Sequence, residues 1–410
     1  MTQSAPHDQQ RALREELRAL SDVVAPRELI DLLLERAFQN RATDVHLDPT
    51  REGLRVRLRV DGLLHDIVTL PNEMKSQVIS RLKLMGNMNI TEHRLAQDGR
   101  ISVTVLGNSR DIRVGGGPTI HGERLVLRLM PDQQVMPGLD ELGFEASQLK
   151  LIRKALTCSY GMILSVGPVG SGKTTTLYSC LELLNGPEKS IIAIEDPVER
   201  RIRGINQIQV EPSIDFGFVS ALKGALRQDP NIIMIGEIRD SETSQIASRA
   251  SLTGILTLST LHANDAASVV GIFREYGIKP LFIADSLRCL VAQRLIRKTC
   301  QHCLEEFDPD EVTLAELGLS SVSELEKPLV KGKGCNHCFG TGYFGRTGIF
   351  EVMLLNSDLR SAILQGAGPR EFRSLAMDHG MQTLEQSAQR KVLAGETTLE
   401  EFHRVLANYD

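Results

Sequence analysis

Tryptophan is missing from this chain, and aromatic residues make up only 4% of its 410 positions. The interior must therefore be filled by Leu, Ile, Val and Ala, and stacking platforms for single-stranded nucleic acid are scarce. An excess of positive charge is missing as well. The 47 Lys and Arg stand against 52 Asp and Glu, which removes the electrostatic case for bulk binding to nucleic acid or a membrane surface. No apolar run approaches the roughly 20 residues of a membrane span, and the N-terminus has no signal-peptide core. The expected location is the cytoplasm. Low-complexity tracts are absent too. A 41% hydrophobic chain of this length can bury a sizeable core and is expected to divide into two or three domains.

Against that background one segment stands out. Gly167-Pro168-Val169-Gly170-Ser171-Gly172-Lys173-Thr174 follows the short apolar run Met162–Val166. The next residues, through Leu184, contain no Gly or Pro and space Leu177, Leu181 and Leu184 along one helical face. This is a phosphate-binding loop in the strand–loop–helix setting it requires. Its backbone N–H groups can curl around a β-phosphate, Lys173 can reach the β/γ oxygens, and Thr174 can offer its hydroxyl to Mg²⁺, with Thr175 beside it. The chain is expected to bind ATP.

The seven cysteines divide into two groups. Cys158, Cys180 and Cys289 stand alone and read as small core residues. Cys300-Gln-His-Cys303 and Cys335-Asn-His-Cys338 are paired. In a reducing compartment two such pairs suit a tetrahedral Zn²⁺ with four thiolate ligands and no open position, hence a structural site. A redox dithiol is the alternative, although it would need only one pair. His302 and His337, inside the spacers, are expected to be solvated. The segment Leu304 to Gly334 is acidic and Leu-spaced, and reads as a small helical excursion.

Along the chain, Leu13, Leu17 and Leu20 form a helical stripe, and a second helix is expected after Pro26 with Leu29, Leu32, Leu33 and Ala37 inward. Leu54, Val56, Leu58 and Val60 then alternate with Arg55, Arg57 and Arg59, the pattern of a half-buried strand with a basic outer face. Asp61-Gly62 signals a tight turn. A helix over about Glu73 to Met85 and further alternating runs up to Met130 give a small α+β domain. Pro131 to Leu139 reads as a linker. Strand and helix patterns alternate from there to residue 297, as in an α/β sheet covered on both faces, and the tail after Gly342 reads as mainly helical.

Three more apolar runs end in polar residues. Ile191–Ile194 leads into Glu195-Asp196-Pro197-Val198-Glu199, Ile232–Ile235 into Gly236-Glu237, and Leu256–Leu261 into His262. Ligands of open α/β sheets bind outside the carboxyl ends of the strands. Ile232–Glu237 resembles a Walker B strand with Gly236 in place of the usual metal-binding Asp. Glu237 is then the candidate for positioning Mg²⁺ or polarising water, and His262 for sensing the γ-phosphate.

In combination these segments closely resemble the secretion ATPases of type II secretion and type IV pilus assembly. The match includes the phosphate loop, Ile194-Glu-Asp-Pro-Val-Glu199, Ala225-Leu-Arg-Gln-Asp-Pro230, Gly236-Glu-Ile-Arg-Asp240, Ser259-Thr-Leu-His262-Ala-Asn-Asp265 and Ala292-Gln-Arg-Leu295. Upstream it takes in Thr43-Asp-Val-His46, Arg59-Val-Asp-Gly62 and Gln97-Asp-Gly-Arg100, and downstream the cysteine pairs and Gly345-Arg-Thr-Gly348. The resemblance implies an α/β protein with a RecA-like P-loop NTPase core, a PAS-like α+β N-terminal domain, a tetracysteine zinc subdomain and a helical C-terminal tail. The boundaries it suggests are an extension over 1–25, the PAS-like domain over 26–130, a linker over 131–139, the core over 140–297, the zinc subdomain over 298–341 and the tail over 342–410. A homo-oligomer, expected to be a hexamer, would act on an inner-membrane platform protein as a peripheral membrane component, with a membrane-anchored recruitment protein as a further partner and no nucleic acid.

Roles carry over residue by residue. Glu195, Asp196 and Glu199 would form an acidic box, Glu237 the Walker B glutamate and His262 a sensor. Arg113 and Arg128 match arginines that reach the γ-phosphate in a closed state; from the residues alone they read as solvated strand-face side chains. Arg227 matches a nucleotide-side arginine, and Arg346 one near the zinc subdomain. Three departures stand out. Lys223 stands where many relatives have Arg, losing the bidentate fork. Ile272 stands where some have Arg. Residues 1–25 leave little room for the extra docking domain of most assembly ATPases, so recruitment is expected to use the first helix, the tail or the platform protein. The cysteine pairs favour assembly over a pilus-retraction ATPase. A competence pseudopilus or type IV secretion motor is the nearer alternative and a nucleic-acid translocase a more distant one.

Overall fold

The computed structural model describes residues 15–16, 25–130 and 136–407. The helical stripe at Leu13, Leu17 and Leu20 and most of the linker expected over 131–139 lie outside them. Two compact units are present: Met1–Gln134 with Thr299–Glu305 and Lys331–Gly345, and Val135–Lys298 with Glu306–Val330 and Arg346–Asp410. Among the described residues no helix is long and apolar enough to cross a membrane.

The first unit is built on a six-stranded antiparallel sheet. Its strands are β1 (Asp44–Pro49), β2 (Leu54–Val60), β3 (Leu63–Leu70), β4 (Gln97–Val105), β5 (Asn108–Thr119) and β6 (Gly122–Leu129), in the order β3-β2-β1-β6-β5-β4. Strand alternation sends side chains to opposite faces. Val45, Leu47, Val56, Leu58, Ile112, Val114, Leu125 and Leu127 join a core with Leu29, Leu33, Leu34, Val78 and Leu82 from the helices Pro26–Gln39 and Asn72–Met85. The opposite face is charged. The Asp61-Gly62 turn joining β2 to β3 has positive φ at both residues, 48° and 89°, as a type I′ hairpin demands.

The second unit holds a seven-stranded sheet. Strands β7 (Gly161–Val166), β8 (Ile191–Glu195), β9 (Asn206–Gln209), β10 (Ile232–Ile235), β11 (Leu256–Leu261), β12 (Leu287–Thr299) and β15 (Tyr343–Leu354) run in the order β15-β12-β7-β11-β10-β8-β9. The six strands from β12 to β9 pair in parallel. Every residue of β7, β8, β10 and β11 is buried, as expected when helices cover both faces. Met162, Leu164, Ile192, Ile194, Ile233 and Ile235 pack on one side with the helices Phe218–Ala225, Ser241–Ala250 and Ser268–Glu275. Ile163, Ile191, Ala193, Ile232 and Met234 pack on the other with the helices Ala146–Leu156 and Lys173–Leu184.

One expectation holds with an addition here, and one gives way. The region after Gly342 begins with the twelve-residue strand β15 before the helices Ser357–Gln365, Pro369–Asp378, Leu384–Leu393 and Leu399–Leu406. The segment after Leu304 holds two paired strands, β13 (Leu304–Phe307) and β14 (Leu329–Gly332), beside one short helix, Glu311–Glu316. Between Leu304 and Gly334 strand pairing outweighed the local Leu spacing.

Candidate active site and metal centre

The register of the parallel strands brings the functional side chains of the second unit to one edge. Leu261 pairs with Val166, Ser259 with Ile235, and Ile235 with Ile194. The phosphate loop, His262, Glu237 and Glu195 therefore leave neighbouring strands at the same level. Gly167 has a φ of +153°, and a Cβ there would lie 2.6 Å from the carbonyl oxygen of Gln293, so only glycine fits. Lys173 is 9% exposed. Its Nζ donates to the carbonyls of Gly167 at 2.8 Å and Pro168 at 3.0 Å, and burial holds its pKa below the ordinary lysine value, with Arg294 adding to the effect and Glu237 opposing it. Thr174 and Thr175 occupy the first turn of the helix Lys173–Leu184, where N–H groups and the helix dipole favour an anion.

Glu237 is the hub of the site. One of its oxygens lies 2.8 Å from His262 Nε2 and the other accepts from Arg239 Nε at 2.7 Å. Arg239 also stands 3.9 Å from Asp196. The strand tips beneath are tied together: Thr260 Oγ1 donates to the Gly236 carbonyl at 2.7 Å and Ser259 Oγ to that of Ile235 at 2.7 Å. A carboxylate hydrogen-bonded to an imidazole, beside a phosphate loop, can orient a water and follow charge on a γ-phosphate.

Other expected site residues are placed differently. Glu195 is buried, accepting hydrogen bonds from the Tyr178 hydroxyl and from Gln207 Nε2, the latter at 2.9 Å. Burial raises its pKa despite those donors. Glu199 and Arg227 are exposed. Lys223 pairs with Glu242 at 2.8 Å, and Ile272 packs against the core. Arg113 and Arg128 belong to the first unit, where they face each other across β5 and β6. They form part of a row running Arg59, Asp44, Arg128, Arg113, Arg100 across five strands. Asp44 lies 3.3 Å from Arg59 and 3.5 Å from Arg128.

Gln293 and Arg294, which carry no role in the sequence pattern, also work in the site. Gln293 follows Ala292, which pairs with Val166, so its amide lies beside the phosphate loop. It accepts from Ser165 Oγ at 2.9 Å and Thr176 Oγ1 at 2.8 Å, and donates to the Ser171 carbonyl at 2.8 Å. Arg294 donates to the carbonyl of Asn264 at 2.8 Å. The available signal was a Gln-Arg pair breaking the apolar run of β12.

The four paired cysteines come together in the first unit, their Sγ atoms all within 4.8 Å of one another. Cys300 and Cys335 are 3.8 Å apart, Cys303 and Cys338 3.9 Å, and Cys335 and Cys338 3.7 Å. A tetrahedral ion with metal–sulfur bonds of about 2.3 Å would need sulfur–sulfur edges of about 3.8 Å, so the residues fit a zinc-type site. Burial works against a thiolate at Cys338, but the N–H groups of Cys335 and Gly342, at 3.1 and 3.2 Å, outweigh it and lower the pKa. His302 and His337 stack on each other, with ring centroids 3.9 Å apart, beside Phe344. The cysteine segment is joined to the antiparallel sheet's unit by specific contacts. Asp61 accepts from the Gly345 amide at 2.9 Å, Arg41 lies 3.6 Å over the Phe344 ring, and Phe339 packs on the sheet's core.

Residues 20–404 match the family described as "Type II/IV secretion system protein". The chain belongs to that family. It is 42% identical over 380 residues to a type IV pilus assembly ATPase PilB of Thermus thermophilus, covering 93% of this chain and 43% of the relative. Against the PilB of Myxococcus xanthus the identity is 41% over 94% of this chain and 69% of the relative. The type II secretion system protein HxcR of Pseudomonas aeruginosa is 42% identical over 92% of this chain and 76% of its own length. The chain thus spans less than half of the first of these relatives and about seven-tenths or more of the other two. Among solved structures, the Legionella pneumophila ATPase DotB superposes with a TM-score of 0.67 at 21% identity, over 93% of this chain and 95% of that one. The pilus retraction motor PilT with bound ADP gives 0.59 at 22%, over 92% and 96%. At such identities these two establish the fold, and the family's ATPase fold is the one found here.

Proposed function

We propose that this chain is the ATPase subunit of a hexameric motor that hydrolyses ATP to drive assembly of a pilus or pseudopilus, acting on an inner-membrane platform protein from the cytoplasmic side. The observation that carries the reading is the Glu237–His262 pair at the ends of the neighbouring strands β10 and β11, of which β11 pairs with the strand β7 that leads into the phosphate loop of Lys173. In this reading the loop amides and Lys173 bind the β- and γ-phosphates, and the Thr174 hydroxyl would hold Mg²⁺, which would screen the phosphate charge. Glu237 orients the attacking water, and His262 holds Glu237 and responds to the γ-phosphate. Arg113 and Arg128, on their sheet's charged face, would supply positive charge in a closed state. Four thiolates would hold a structural Zn²⁺, and that cluster supports assembly over retraction.

The test is steady-state ATP turnover and nucleotide affinity in purified protein. Lys173→Ala is expected to lose binding and turnover together. Glu237→Gln is expected to retain binding while turnover falls by roughly 10²-fold or more. Undiminished turnover in Glu237→Gln would remove it from the hydrolytic step.

A further inference from the structure

The turn that carries His262 rests on a buried carboxylate that belongs to neither the phosphate loop nor the acidic box. Glu351 lies on β15, the edge strand of the seven-stranded sheet, and is 0% exposed. Its Oε1 accepts the backbone N–H of Ala266 at 2.9 Å, and its Oε2 makes no direct hydrogen bond. Arg373, on the helix Pro369–Asp378, stands 3.7 Å from Glu351 and 3.5 Å from Asp265. Asp265 in turn accepts from the amide and hydroxyl of Ser268, at 2.7 and 2.6 Å, at the start of the helix Ser268–Glu275. From the other side Arg294 holds the Asn264 carbonyl. Three successive residues, Asn264, Asp265 and Ala266, are thus gripped by Arg294, Arg373 and Glu351, and His262 lies two positions before them.

A buried carboxylate whose second oxygen lacks a close hydrogen bond is an expensive way to fix a turn. An apolar side chain at 351 would avoid that cost, and so would a surface cap. We propose that Glu351 is a positioning residue for the hydrolytic step, fixing the 262–267 turn through the Ala266 amide so that His262 stays on Glu237. This rests on the reading that the chain hydrolyses ATP.

The electrostatics point the same way. Burial pushes the Glu351 pKa up to about 7, opposed by the Ala266 amide, by Arg373 and by the Leu384 amide, while Asp265 adds to the rise. The folded pKa lies above the ordinary glutamate value, so ionisation is opposed by the fold and becomes complete only as pH rises through about 7. The ionised form is the stronger acceptor for the Ala266 N–H. The grip on the turn therefore tightens from pH 6 to pH 8.

The experiment uses the whole chain as wild type, Glu351→Gln and Arg373→Gln. Amide hydrogen exchange across 262–267 is measured without nucleotide, and ATP turnover is followed from pH 6 to 8.5. Glu351→Gln is expected to exchange faster in this turn than wild type, to lose roughly tenfold in kcat with little change in KM, and to lose the rise of kcat through pH 7. Arg373→Gln keeps the carboxylate and is expected to move that rise to higher pH. Exchange across 262–267 unchanged in a folded Glu351→Gln overturns the proposal, whatever the turnover. If Glu351→Gln does not fold, Arg373→Gln decides: protection in the turn that weakens, with its pH dependence displaced upward, supports the proposal, and unchanged protection overturns it. Failure of the ATPase reading looks different, since wild type would then show no turnover while the exchange comparison still stands.

Discussion

Tyr178 and Glu195 illustrate how a side chain can sit in a functional motif and still serve the fold. Both are buried, and the phenol donates to a carboxylate that Gln207 also contacts. Because burial raises the Glu195 pKa, its contribution to stability is fully present below the ordinary glutamate value and is lost as pH rises through the folded one. Tyr178→Phe removes a donor that matters most to the ionised form. The expected loss of unfolding free energy is roughly 1–3 kcal/mol and grows with pH as Glu195 ionises, measured by urea denaturation across a pH series. A loss that does not change across the series would mean that Glu195 keeps one protonation state throughout. The sequence marked Glu195 as polar at a strand end; which way it turned depended on Tyr178, seventeen residues earlier.

Among the elements, β12 does the most that its sequence does not advertise. It pairs with β7 in parallel and lays Gln293 beside the phosphate loop, where one amide satisfies two hydroxyls and a carbonyl. Gln293→Ala leaves Ser165, Thr176 and Ser171 without those partners in a buried setting. The expected cost is roughly 2–4 kcal/mol, with weaker nucleotide binding because the loop's own geometry slackens; thermal melting and nucleotide titration check both. Unchanged nucleotide affinity in a folded variant would show that the loop holds its shape without Gln293. The strands β7, β8, β10 and β11 were legible because burial on both faces gives continuous apolar runs. Strand β15 was not, since its pairing partner lies far upstream and its charged Glu351 and Arg346 mask an otherwise apolar run.

At the scale of the whole molecule, the cysteine pairs fold with the antiparallel sheet, although more than 150 residues separate them from it in sequence. Asp61, Arg41 and His65 on the sheet side meet Gly345, Phe344 and Phe339 on the cysteine side. A structural metal here would fasten two distant segments of one unit and stabilise it strongly. Purified protein is expected to carry about one Zn²⁺ per chain, and Cys335→Ser to lose it and melt at a lower temperature. Elemental analysis with a thermal scan checks this; a Cys335→Ser protein that keeps its zinc and its melting temperature would refute it.

The sequence by itself determined whatever depends on neighbours in the chain. The phosphate loop, the two-residue cysteine spacers, the Asp61-Gly62 turn and the period-two alternation of Arg55, Arg57 and Arg59 each follow from local backbone chemistry, and together they resembled one family. The tertiary structure alone decided which polar groups share a buried volume. The fastening of Gln293 to the phosphate loop, of Glu351 to the His262 turn, of Tyr178 to Glu195 and of the cysteines to the antiparallel sheet joins segments that periodicity does not relate. In each case the physical reason is the same: a polar group taken out of water must find its partner wherever the packed chain brings one.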